Sequence, residues 1–171
     1  MKLEKPSWYA VYVKPRHEFA TQAALFNKNI ETFLPTYKST RQWADRKKCI
    51  DFPLFPGYVF VNILPEPENF IYVSRTRGLI NIVSSEHGNP WPVSDDEIDS
   101  LRIVIESGMD FDVYPQLIEG TRIKLIKGPL KGAEGVITKR LEQYAILVNV
   151  EILGRSVSVQ ISADDIEGYS V

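Results

Sequence analysis

The sequence predicts an α+β chain in two parts, on three observations. Helix-period and strand-period segments alternate through residues 1–107, residues 108–117 are acidic with one proline as a linker is, and residues 118–171 hold four short β runs at the even spacing of a small barrel. A length of 171 residues suits one compact domain or two small ones, and 44% hydrophobic content is enough to build a core.

"WYAVYVK" (Trp8 to Lys14) is aromatic and β-branched, the composition of a strand covered on both faces. Pro15 then fixes φ, and "RHEFATQAALFNKN" repeats apolar residues at Phe19, Ala23 and Phe26 with Leu25 alongside, which predicts one helical face. Residues Thr32 to Asp51 alternate loosely with charged positions and are interrupted at "ADR", a polar hairpin with its tip near Asp45. "PLFPGYVFV" (Pro53 to Val61) follows. Its prolines and Gly57 punctuate the entrance to a strand that puts Tyr58 and Phe60 on one face and Val59, Val61 and Ile63 on the other.

After "LPEPEN", Phe70, Ile71 and Val73 mark a short helix that ends before "TRG" (Thr76 to Gly78), and "LINIV" (Leu79 to Val83) is a strand. "GNPWPV" reads as a loop. Ser94 with Glu97 three residues on forms a capping box, opening a helix through Ile98, Leu101 and Ile105 to Gly108. In the last part "TRIKLIK", "AEGVITKR", "YAILVNVEI" and "SVSVQIS" are strands separated by "GPLKG", "LEQ" and "GRS".

Composition narrows the function. No apolar run approaches the length of a membrane span and the start lacks a signal-peptide core, so a cytoplasmic protein without a membrane partner is expected. The lone Cys49 forms no internal disulfide, and His17 and His87 make no Cys/His set spaced for zinc; neither a metal nor a cofactor is expected. Cys49 has basic neighbours, yet neither histidine is spaced to serve it as a base, so the chain is not expected to be an enzyme. The net charge is −2, with an uneven distribution. From Lys14 to Arg77 ten basic residues face six acidic ones, whereas Gly78 to Glu106 holds Arg102 against six acids.

Taken in order, "WYAVYVKPRHE", "PLFPGYVFV", "SRTRGLINIV" and "EGTRIKLIKGPLKGAEGVITKR" resemble the NusG family of transcription elongation and antitermination factors. "RHE", "RQWADRKK" and "TRGL" are most similar to its specialised UpxY- and RfaH-type paralogues. The resemblance implies an N-terminal NGN domain (1–107) of mostly antiparallel sheet flanked by helices, a linker (108–117) and an SH3-like KOW β-barrel (118–171).

It also implies roles for particular residues. Tyr58 and Phe60, supported by Tyr9 and Phe55, would line an apolar cavity gripping the clamp helices of the RNA polymerase large subunit, with Val59, Val61 and Ile63 on the helix-packed face. Lys14, Arg16, His17, Arg41, Arg46, Lys47, Lys48, Arg75 and Arg77 would track the non-template DNA strand, with Trp43 available for stacking. Leu153, Gly154 and Arg155 would bind a ribosomal protein or the termination factor Rho. The expected protein is a monomeric, operon-specific factor of the surface-polysaccharide type that suppresses pausing and termination. The alternative, a KOW-type RNA- or ribosome-binding protein, calls for a basic barrel, whereas residues 108–171 hold seven basic and nine acidic residues.

Overall fold

The computed structural model describes residues 5–43, 46–85, 88–115, 120–140 and 143–161. These fall into two compact units, Met1–Pro92 and Val93–Val171.

The first unit runs β1 (Ser7–Val13), α1 (Glu18–Phe26), β2 (Glu31–Phe33), β3 (Thr36–Trp43), β4 (Arg46–Pro53), β5 (Tyr58–Ile63), α2 (Pro67–Ser74) and β6 (Leu79–Ile82), and the two-residue β7 (Pro92–Val93) falls at the boundary in sequence. Its main sheet has the order β2-β5-β1-β6, with β7 also paired to β1, and β3 and β4 form a separate antiparallel hairpin. The period of two sorts each strand. Tyr9, Val11 and Val13 of β1 and Val59, Val61 and Ile63 of β5 point to one face, where they form a core with Leu25, Ile30, Leu34, Val73 and Leu79. Helix α1 packs on β2 and β5, and α2 on β6.

Two elements differ from the sequence expectation for identifiable reasons. The stretch read as one hairpin from residue 32 is two elements: Glu31–Phe33 joins the main sheet through β5, and Pro35 separates it from the hairpin, whose register runs from Thr36↔Pro53 to Trp43↔Arg46. Helix α1 is rotated by one residue, about 100°. It buries Glu18, Thr21 and Leu25, and leaves Phe19 and Phe26 exposed.

The rotation puts two polar side chains where backbone needs them. A Glu18 oxygen accepts from Gly57 N at 2.8 Å, and Thr21 Oγ1 donates to the Arg77 carbonyl at 3.3 Å. Val13 N donates to Gly57 O and Lys14 N to Gly78 O, both at 2.8 Å. The exit of β1, the turn into β5 and the turn into β6 are thereby tied together. Both glycines are required: Gly57 (φ +87°) and Gly78 (φ +91°) are left-handed, and a Cβ on them would meet the Tyr12 ring and Thr21 Oγ1 respectively.

The second unit runs α3 (Asp95–Glu106), β8 (Phe111–Pro115), β9 (Thr121–Lys124), β10 (Glu134–Arg140), β11 (Gln143–Val150), a 3₁₀ turn (Glu151–Leu153) and β12 (Arg155–Ile161). Its sheet is antiparallel, in the order β8-β12-β11-β10-β9. The stretch 108–117 expected as a linker contains β8, because Phe111 to Pro115 find backbone partners along β12. Helix α3, which the sequence reading placed in the first domain, groups with this unit against β10 and β11. Its capping box is complete, with Ser94 Oγ accepting from Glu97 N at 3.1 Å and Glu97 Oε2 accepting from Ser94 N at 3.2 Å. Two further bonds fix it to the sheet: Ser100 Oγ accepts from Glu134 N at 2.8 Å and Glu97 Oε1 from Glu151 N at 3.0 Å.

Three outcomes follow from these bonds. Glu18→Ala leaves the buried Gly57 N–H without its acceptor and should lower stability by about 1–3 kcal/mol in urea unfolding, while Glu18→Gln keeps an acceptor there and recovers most of the loss. Ser100→Ala should cost a similar ~1–3 kcal/mol by stranding Glu134 N–H. Burial raises the Glu97 carboxyl above the ordinary carboxylate value, against the lowering effect of its two backbone donors. The folded chain therefore holds this proton where the unfolded chain has released it. Stability contributed by Glu97 falls as pH rises from the ordinary to the raised value, and Glu97→Gln should flatten urea midpoints across that window.

Candidate functional site

The three tied turns form one corner of the first unit's sheet. Lys14 leaves β1, Pro15 follows, and Arg16 adopts φ +64°, a left-handed turn that reverses the chain into α1. Arg75 caps the C-terminus of α2, and Arg77 precedes the left-handed Gly78. All four cations are exposed. Among the described residues, none of the side chains of Lys14, Arg16, Arg75 and Arg77 has a hydrogen-bond or ion-pair partner. His17 is also exposed and its Nδ1 donates to Pro15 O at 3.0 Å. Lys28 is engaged elsewhere. Its Nζ donates to Tyr72 O at 3.0 Å and Thr76 Oγ1 at 2.9 Å and lies 4.6 Å from the Tyr72 ring centroid, a strut between α1 and α2.

Four unpaired cations held at the ends of short, anchored turns make a surface for a polyanion, since each can accept a phosphate without first breaking an ion pair. Five of the nine expected nucleic-acid residues, Lys14, Arg16, His17, Arg75 and Arg77, come together at this corner. The side chains of Arg41, Arg46, Lys47 and Lys48, with Trp43 and the hairpin tip at Asp45, lie outside the described residues. No group of His, Cys, Asp and Glu among the described residues could hold a metal ion.

The aromatic residues divide between the two faces of the sheet. Tyr58 and Phe60 share the face opposite the helix-packed core, where the register sets Tyr12 against Tyr58 and Ala10 against Phe60 on β1, and Phe33 of β2 against Phe60. Tyr12 and Tyr58 have ring centroids 5.4 Å apart, Phe33 stacks on Phe60 at 6.1 Å, and Trp8 meets Phe33 edge-on at 6.5 Å. Tyr12, Phe33 and Tyr58 are half-buried; Trp8 and Phe60 are buried beneath them. Tyr9, expected with this set, points to the other face. It is 2% exposed, packs edge-on against Phe70 at 5.0 Å, and its phenol is pushed up by burial. Phe55 is buried in the turn, where its carbonyl accepts from Tyr58 N at 3.1 Å.

Sequence reasoning missed Glu18 and Thr21, the side chains that anchor the corner, and Tyr12 and Phe33, which complete the aromatic face. Tyr12 could have been found from its parity with Trp8 and Ala10. Phe33 could not, because its place depends on β2 pairing with β5.

In the second unit Leu153, Gly154 and Arg155 lie together at the β11–β12 connection. Leu153 ends the 3₁₀ turn half-buried, Gly154 is left-handed at φ +58°, and exposed Arg155 opens β12. Beside them Arg122 pairs with Glu151 at 3.1 Å.

The chain matches the family model described as transcription termination factor NusG over residues 6–102, more than half its length. It is 28% identical over 169 residues to the transcription termination/antitermination protein NusG of Lactococcus lactis, covering 93% of this chain and 88% of that protein. The protein of the same name from Pseudomonas aeruginosa is 27% identical over 172 residues, covering 94% and 97%. Among solved structures, one of Thermotoga maritima NusG, described as showing domain interaction, shares the fold with a TM-score of 0.53 at 23% identity, covering 94% of this chain and 96% of that one. The motif order, the antiparallel sheet with its two flanking helices and the match to the family model over more than half the chain agree: the chain belongs to the NusG family of transcription termination and antitermination factors.

Proposed function

We propose that this chain is an operon-specific elongation and antitermination factor. It docks on the clamp helices of RNA polymerase through the β5 face that carries Tyr58 and Phe60, and it holds the displaced non-template strand at the corner formed by Lys14, Arg16, Arg75 and Arg77. Residues 118–171 act as a KOW barrel that recruits a second factor through Leu153, Gly154 and Arg155. The observation that carries this reading is the gathering of four unpaired, exposed cations from two separate motifs into one anchored corner. The corner adjoins the aromatic face directly, because Gly57 is bonded into it and Tyr58 is the next residue.

The aromatic face suits a helical partner. Rigid rings give large contact area at low entropic cost, and here Tyr12, Phe33 and Tyr58 reach solvent over a floor of Trp8 and Phe60. The corner suits a flexible single strand, since its cations lie on turns of different elements and follow no groove of a duplex.

Two measurements test the reading. Tyr58→Ala should leave the melting temperature nearly unchanged and weaken retention of RNA polymerase by about 2 kcal/mol or more, roughly 30-fold. Undiminished retention by the folded variant would overturn the docking surface. Arg77→Ala should weaken single-stranded DNA binding and reduce the slope of log affinity against log salt by about 0.7, as expected for one lost phosphate contact. A slope identical to wild type would remove Arg77 from the strand's path.

A further inference from the structure

We infer that the exposed face of α1 is a base-stacking strip that continues the cationic corner, with Phe19 and Phe26 as platforms for the bases of a single nucleic-acid strand. The inference rests on the proposed role of the corner and extends it to a surface with a different chemistry.

The rotation of α1 leaves an unusual face in water. Phe19 is 46% exposed and Phe26 72%, and exposed Ala23 lies between them. At positions i and i+7 the two rings project from the same side of the helix, about 10 Å apart along its axis, the length of about three base steps of ~3.4 Å. Neither ring has an aromatic partner among the described residues. An exposed phenylalanine in isolation is unremarkable, but two on one face of a nine-residue helix form a patch.

Charge selects the occupant. From Phe19 to Ile30 the chain has no carboxylate, although it has 22 acidic residues in 171. The one acid at the start of the helix, Glu18, is buried and bonded to Gly57 N. The strip begins three residues after Arg16, and the Arg77 carbonyl is bonded to Thr21 one turn into the helix, so the unpaired cations stand at its N-terminal end. Exposed Asn27 and Asn29 supply amides near the other end. Aromatic rings on a segment without carboxylates, leading away from free guanidinium groups, match a polymer with a flat apolar face on each unit and a negative charge between units.

The two chemistries separate by salt. Stacking does not release counterions, whereas phosphate contacts do. Fluorescence anisotropy with a labelled 12-mer oligodeoxythymidylate, measured over a salt series on the full chain, should show Phe19→Ala and Phe26→Ala each weakening binding roughly 5- to 100-fold with the salt slope unchanged. Arg16→Ala and Arg77→Ala should reduce the slope. Phe19→Trp should restore affinity, and its indole fluorescence should be quenched by the oligonucleotide. An oligoribonucleotide of the same length reports whether the strip distinguishes the sugar.

Wild-type affinity in the double variant Phe19→Ala/Phe26→Ala, with the arginine variants impaired, would overturn the stacking strip and leave the corner standing. Loss of polymerase retention in that double variant with intact oligonucleotide binding would likewise overturn it and make the strip a protein-docking face. Arginine variants that bind and titrate as wild type would bring down the corner, and the strip with it.

Discussion

A single buried hydrogen bond, from Gly57 N to the Glu18 carboxylate, fixes the relation between the first helix and the sheet on which it lies. It requires a side-chain acceptor at the first position of α1 and a backbone N–H presented by a left-handed turn, and both conditions propagate. The turn must be glycine, because its Cβ direction is filled by the Tyr12 ring. The helix must present Glu18 and, one turn later, Thr21 inward, so its apolar stripe cannot also be inward. A buried donor left unsatisfied costs about 1–3 kcal/mol. Exposure of two phenylalanines costs an amount of the same order, about 1.5–3 kcal/mol for a fully exposed ring and less for half-exposed ones. Satisfying the backbone at two turns is the stronger requirement here, and Leu25 remains to anchor the helix to the core.

The sheet then separates two kinds of work. Its helix-packed face is closed by aliphatic residues and Tyr9, and supplies the stability of the first unit. Its other face is aromatic and ordered by cross-strand register, each ring set by the one opposite or diagonal to it. Tyr58 links the two systems. It begins the strand that carries the aromatic face and immediately follows the glycine that closes the cationic corner. A displacement of the turn at Gly57 therefore moves a ring of one surface and the support of the other together. Affinity for a protein helix and for a nucleic-acid strand need not be independent in such an arrangement, even though no side chain serves both.

Much of this was legible in the residues. The alternation from Tyr58 to Ile63 correctly divides β5, because a strand's period of two leaves only two assignments and the β-branched set fits the helix-packed face. The capping box at Ser94 and Glu97 marks the start of α3 without ambiguity, since its two bonds are local. What could not be read depends on partners distant in sequence. Phe19, Ala23 and Phe26 have the spacing of a buried stripe, and only the positions of Gly57 and Arg77, 39 and 56 residues from their partners, show why the helix turns that stripe outward. β8 is five residues, too short and proline-ended to stand out, and becomes a strand because β12 offers an edge. Tyr9 is indistinguishable by composition from the aromatics across the sheet, and parity with Val11 and Val13 was the signal that separates it.

Net charge illustrates the same limit on averages. At −2 the chain reads as indifferent to nucleic acid. Yet its acids have local duties that remove them from the surface in question. Asp95, Asp96 and Glu97 occupy the first turn of α3, where the helix dipole favours them, and Glu97 further accepts two backbone donors. Glu134 and Glu151 are paired with Lys124 and Arg122. Glu18 is buried on Gly57. The arginines and lysine at the corner stay unpaired among the described residues, in a chain with more acids than bases. The field that a strand would meet is set by which charges remain unsatisfied at one place, so a polyanion-binding surface can be built on an acidic protein without a basic excess in its overall composition.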